Sequence, residues 1–273
     1  MGVVFIHINF PGIIGQIIKD VASYAVPVFF MIAGYYAYKK DQSTIKRRLL
    51  KITKIFLYAY ILFFVFSAAF AVYNYQIGDW ISKQFNWKTP IMYICFCTID
   101  FAIPLWYLIA MIEVYVVWLL VVKNNKEHVF LKLLPFLFVL QIILTMYCET
   151  KETEWFWKTN FITRAMPWFL LGYFFHTEKA EFIRDLNVWA FIVLTLIGSL
   201  ISIVPTAFDF GLKFNVIGYI PFAIGLFCIA VKYGGGYWFI QADRVYRSEF
   251  IFKYLYISCY YRQSPGVHLF RFS

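Results

Sequence analysis

The run AVPVFFMIAGYYAYKKDQSTIKRRLLKITKIFLYAYILFFVFSAAFAVY, residues 25–73, decides the fold class. It sets a stretch rich in Lys and Arg between two apolar stretches, which belong to the spans read at about 21–38 and 55–73, within the roughly 17–25 residues that cross a bilayer as a helix. Seven Lys/Arg against one Asp lie between Lys39 and Lys54. Basic residues flush against apolar spans are what the positive-inside bias predicts, and they attract anionic lipid headgroups. A nucleic-acid surface would need a basic face on a soluble domain, and the chain leaves no room for one.

The rest of the chain has the same character. Of its 273 residues 62% are hydrophobic, 23% aromatic and 15% charged, whereas ordinary globular domains are about 45–50% apolar and about 25% charged. A soluble fold of this size cannot cover so much Phe, Tyr and Trp without large exposed apolar patches. Soluble enzyme, disordered tail and disulfide scaffold are therefore all poor readings. The expectation is an all-α, polytopic transmembrane helical bundle, multi-pass in the cell membrane, with the lipid bilayer as a partner and no nucleic acid. Spans read at about 21–38, 55–73, 102–122, 131–147, 161–176, 188–207 and 214–231. Residues 90–99 are too short to cross and read as re-entrant. With a partial span at the start this gives about eight spans or part-spans.

Charge sets the orientation. With 39–54, 123–132, 177–185 and 232–247 on the cytoplasmic side, that side carries 15 Lys/Arg and the opposite loops carry 6. MGVVFIHINF begins inside an apolar run and reaches a Pro-Gly turn signal after ten residues, so it reads as part of a membrane helix and lacks the form of a signal peptide. After Phe250 an incipient span breaks into a polar tail. Residues 1–261 are thus expected to form one membrane domain with an incomplete first helix, and 262–273 an atypical tail with the look of a shifted reading frame.

Polar groups inside apolar spans are costly and are the default functional candidates. His7, Asp100, Glu113, Arg164 and His176 make up that set. His7 can act as a general base toward a hydroxyl or can simply meet headgroups at the interface. Arg164 can grip a carboxylate, a phosphate or a developing oxyanion, or can snorkel to the near surface. Asp100 and Glu113 are about 20 Å apart along one continuous helix, so Asp100 reads as the cap of a helix starting near Phe101 and Glu113 as a mid-span acid with an unread partner. Cys95, Cys97, Cys148, Cys228 and Cys259 have no metal-site spacing and read as small apolar residues. No metal site is expected. Gly234-Gly235-Gly236 lacks the Lys-Ser/Thr of a phosphate loop, and no nucleophile elbow is present.

Four segments together resemble the acyltransferase-3 family of integral-membrane acyltransferases: VVFIHIN at 3–9, AVPVFFMIAGYYAYKK at 25–40, IPLWYLIAM at 103–111 and TRAMPWFLLGYFF at 163–175. The resemblance implies a bundle of about ten helices in a complete member. It implies an O-acyltransferase, foremost an O-acetyltransferase, that moves an acyl group from cytoplasmic acyl-CoA to a hydroxyl of an extracytoplasmic glycan or similar acceptor. It matches His7 to the family's essential histidine. Arg164, Trp106 and Glu113 become candidates for substrate binding, and Arg47 and Arg48 for the phosphates of CoA. The family's arginine eleven residues before that histidine would precede Met1. In physical terms Pro27 can kink its helix and Gly34 permits close helix contact, while Phe29-Phe30 reads as packing. The rival readings are a non-enzymatic membrane protein, such as a small-solute transporter, and an inactive fragment. A transporter should show inverted repeats, and none is visible.

Overall fold

The computed structural model describes residues 25–150, 160–177, 180–208 and 215–233, together with Gly12 and Gly15. His7 and the tail from 262 onward lie outside the described residues. Among the described residues there is no strand. A helix covers the described part of each of the seven expected spans, so the all-α class read from composition holds.

Helix α1 (Ala25–Ala37) is followed after a four-residue turn by α2 (Gln42–Tyr73). The basic run was expected to be a loop over 39–54, and here the structure corrects the sequence reading: most of it is the first third of α2. Lys and Arg are good helix formers, and no Pro or Gly interrupts residues 42–73. Hydropathy reports where a helix leaves the lipid, not where it ends. At 1.5 Å per residue α2 is about 48 Å long, well beyond a hydrocarbon core of about 30 Å. Lys46, Arg47, Lys51 and Lys54 are exposed on this overhang. Further along, Tyr58, Ile61, Leu62 and Val65 are exposed and apolar, the pattern of a helix facing lipid. Among the described residues two helices are long and apolar enough to cross a membrane, α2 and the stretch Ile103–Lys123.

Two short helices, α3 (Ile77–Gln84) and α4 (Lys88–Phe96), follow on the surface, and Trp80 Nε1 ties α3 to Ser67 Oγ of α2 at 2.8 Å. The chain then turns inward. Cys97, Thr98 and Ile99 are buried, and Cys97 takes a left-handed φ of 51°. Asp100 is exposed and caps nothing, a second correction: a 3-10 turn at Ile103–Leu105 precedes α5 (Trp106–Lys123), without a side-chain cap on either. Pro104 suits the first turn of a helix, where no N–H is needed, and that moves the start past Phe101. Helix α5 is the central post, with Leu108, Met111, Val114, Trp118 and Val121 all buried.

Next come α6 (Glu127–Lys132) and α7 (Leu134–Thr150). The expected span 161–176 is in fact two helices, α8 (Phe161–Arg164) and α9 (Met166–His176), broken at Ala165. Pro167 causes the break, because its ring and its missing N–H are incompatible with a continuous helix. A short α10 (Glu181–Asp185) leads to α11 (Val188–Phe208) and α12 (Asn215–Tyr233).

Helix α1 lies close against α9. A Cβ on Gly34 would stand 1.8 Å from the Phe169 carbonyl oxygen, and one on Gly172 would stand 1.9 Å from that of Met31. Backbone meets backbone on both sides, the contact Gly34 was expected to permit. Rings seal the other face of α9, with Trp118 of α5 edge-on to Phe169 at 5.2 Å and to Tyr173 at 4.7 Å. Phe30 is fully buried, in keeping with a packing role.

Candidate active site

The break between α8 and α9 faces the first turn of α5. The Arg164 guanidinium lies over the Trp106 ring, 5.1 Å from its centroid, and both residues are half-buried. Trp106 is backed by Phe30 at 6.4 Å, and Tyr107 meets Phe29 edge-on at 5.9 Å. A guanidinium on an indole face gains about 0.5–2 kcal/mol depending on desolvation. Its five N–H donors lie in the guanidinium plane, a fork suited to gripping an oxygen ligand. Among the described residues Arg164 has no ion-pair partner.

Glu113 sits seven residues after Trp106 on the same stripe of α5, about 10 Å deeper at 1.5 Å per residue. Its Oε2 accepts from the Cys97 Sγ–H at 3.1 Å. The inward turn of residues 97–99 makes this contact, which spacing along the chain could not foretell. It also gives Cys97 a polar partner beyond the purely apolar role read for it. Trp106 and Arg164 are thus brought together, while Glu113 occupies the next level down with a thiol between it and the α8 backbone.

A buried polar network fixes the Arg164 segment. Asn160 Oδ1 accepts from the Thr163 N–H at 2.9 Å and from Thr163 Oγ1 at 3.0 Å. With its amide assigned so that nitrogen faces the Thr163 carbonyl and oxygen faces the indole N–H, the orientation that satisfies both neighbours, Gln141 of α7 donates to that carbonyl at 3.3 Å and accepts from Trp168 Nε1 at 3.2 Å. Gln141 and Asn160 were missed in the sequence. A lone Gln within the apolar run LPFLFVLQIIL was the available signal.

The other candidates lie elsewhere. His176 closes the far end of α9, its Nδ1 at 2.8 Å from the Tyr35 carbonyl oxygen and its ring against Tyr35 and Tyr38. A cavity of about 260 Å³ opens near that end, lined by Tyr35, Phe175, Ile183, Phe191, Phe227 and Lys232 among others. Arg47 and Arg48, adjacent in sequence, differ in setting. Arg47 is exposed and bonded to Thr44 Oγ1 at 3.1 Å, while Arg48 is half-buried and donates to the Tyr36 carbonyl at 3.0 Å. Outside the spans, Asp41 accepts from the hydroxyls of Ser43 and Thr44, which lowers its pKa to about 2. No cluster of three or more His, Cys, Asp or Glu with metal-site geometry occurs among the described residues.

The described helices turn apolar side chains outward, and the Arg164 guanidinium lies half-buried on Trp106 among them. The acyltransferase-3 family model, described as an acyltransferase domain, matches residues 1–258. The chain belongs to that family: it is a membrane-integral enzyme that transfers acyl groups other than aminoacyl groups. No curated protein and no solved structure matches it.

Proposed function

We propose that this enzyme moves an acyl group, acetyl foremost, from cytoplasmic acyl-CoA to a hydroxyl of an extracytoplasmic glycan. The observation that carries the reading is the Arg164 guanidinium, half-buried on the Trp106 ring and without an ion-pair partner among the described residues. A cation kept in an apolar bundle at that cost serves an electron-rich ligand. The thioester carbonyl of the donor is such a ligand, and so is a phosphate.

In the proposed reaction the His7 imidazole takes the proton of the acceptor hydroxyl as its oxygen attacks the thioester carbon. Charge develops on the carbonyl oxygen, which Arg164 stabilises through its in-plane donors. The carbon–sulfur bond then breaks, and the departing CoA sulfur takes the proton back from the imidazolium. Trp106 holds the guanidinium near its ring face as a cation–π partner. Glu113 lies further along the same stripe, where it can meet a hydroxyl of the substrate. On the cytoplasmic side the exposed Arg47 is free to meet the phosphates of CoA, while Arg48 supports the turn through the Tyr36 carbonyl.

The test uses membranes containing the full chain, given radiolabelled acetyl-CoA, with label counted in extracted glycan. His7→Ala and Arg164→Ala should each lower incorporation at least a hundredfold while the protein still inserts. Undiminished incorporation in the His7 variant would remove the base from the mechanism. Incorporation from a lipid-linked donor, and none from acetyl-CoA, would overturn the donor assignment.

A further inference from the structure

We infer that Gln141 is a positioning residue for Arg164, acting through the carbonyl that Pro167 leaves without its helical partner; the functional half of this inference rests on the role proposed for Arg164. In a continuous helix the N–H of residue 167 would donate to the carbonyl of residue 163, four positions back. Proline has no N–H, so the Thr163 carbonyl loses that donor. An unsatisfied carbonyl in an apolar bundle is costly. Thr163 is buried, and its carbonyl takes its bond from Gln141, itself 7% exposed.

Gln141 does this from a different helix, and it is held at its other end as well. Its amide oxygen accepts from Trp168 Nε1, on the residue directly after the proline. One turn earlier on α7, Phe138 meets the Trp168 ring edge-on at 5.0 Å, and Tyr219 of α12 closes the other side at 5.8 Å. The side chain therefore spans the break, with one bond on α8 and one on α9. Asn160 fixes the opposite end of α8 through the Thr163 N–H. With Thr163 held at both its N–H and its carbonyl, the backbone that carries Arg164 is anchored on both sides. From that anchored backbone the Arg164 guanidinium reaches the Trp106 face.

The break is thus a feature whose polar cost is met from outside, and its geometry depends on that support. Supplying the missing N–H from within the helix should undo it. Pro167→Ala offers an N–H to Thr163, lets α8 and α9 join, and turns Arg164 off the Trp106 face.

The experiment reconstitutes the full chain in lipid nanodiscs. It follows hydrogen exchange over residues 160–168 and label transfer from radiolabelled acetyl-CoA, with thermal unfolding measured alongside. Gln141→Leu should speed exchange across 160–166 and lower transfer at least tenfold. In the Arg164→Ala background the same change should cost little further transfer, because the group it positions is gone. Pro167→Ala should lower transfer while slowing exchange. If Gln141→Leu folds poorly, Gln141→Leu with Pro167→Ala should regain stability without regaining transfer. Unchanged exchange in Gln141→Leu overturns the inference, as does equal loss in the presence and absence of Arg164. Wild-type transfer in Pro167→Ala, with Arg164→Ala inactive, overturns it while leaving the role of Arg164 intact. Wild-type transfer in Arg164→Ala removes that role instead, and exchange still decides whether Gln141 holds the break.

Discussion

Helix α9 is secured by unlike means at its start and its middle. At the start, Pro167 breaks the chain and Gln141 and Asn160 supply hydrogen bonds from either side. Five residues later Gly172 lies against the backbone of α1, with Gly34 returning the contact. The seam has no side chain to adjust and depends on shape alone. The break has groups that can be removed one at a time while the fold remains. Changes at the seam should therefore act on folding, and changes at the break on acyl transfer.

The largest effect is expected at the seam. Gly34→Val or Gly172→Val puts carbon atoms where a carbonyl oxygen stands within 2 Å, so the helices must separate. The cost should reach or exceed the roughly 3 kcal/mol at the upper end of overpacking. Little folded protein should accumulate in membranes, as read by detergent-resistant gel filtration. Normal accumulation would show that the seam tolerates a gap. At the break, Arg164→Lys should retain insertion and unfolding temperature but lose most transfer, because an ammonium keeps the charge near Trp106 but has no planar fork of donors. A Lys variant with full transfer would reduce the site to a point charge.

Smaller effects sharpen the contrast. Asn160→Ala should cost about 1 kcal/mol, the usual worth of an N-cap, with Asn160→Asp close to neutral in both stability and transfer. A loss confined to stability would assign the cap to folding alone. The least effect belongs to Asp41, away from both regions. Its folded pKa of about 2 lies below the unfolded value of about 3.9. Its contribution is therefore present above about pH 4 and lost as pH falls through about 2. Asp41→Asn should flatten the pH dependence of amide exchange at residues 42–45 over that interval, with transfer unchanged at neutral pH.

Much of the architecture was legible because lipid imposes it. A backbone in hydrocarbon must satisfy itself internally, so every long apolar run among the described residues is helical. Gly34 was legible for a similar reason, since small residues mark close approach between membrane helices. The basic run was misjudged because hydropathy senses solvent while Lys and Arg remain helix formers, so α2 extends through it. Asp100 was misjudged because Pro104 moves the helix start. The site was legible only in part. Arg164 and Trp106 could be named, but their meeting depends on the break at Ala165. The Cys97–Glu113 contact depends on a chain reversal with a left-handed residue. Pro167 marks the Thr163 carbonyl by counting back four residues, yet nothing in the sequence says that Gln141 is the donor that reaches it.

The glycine seam also has a mechanical meaning. Two helices with their backbones in contact bend and tilt as one beam, because no compressible side chains lie between them. The beam carries Phe29 and Phe30 near one end, beside Trp106, and the His176 stack on Tyr35 and Tyr38 near the other. A tilt imposed where His176 sits is delivered to the Trp106 end as a displacement of comparable size. Motion at the two ends of the beam is then a single degree of freedom.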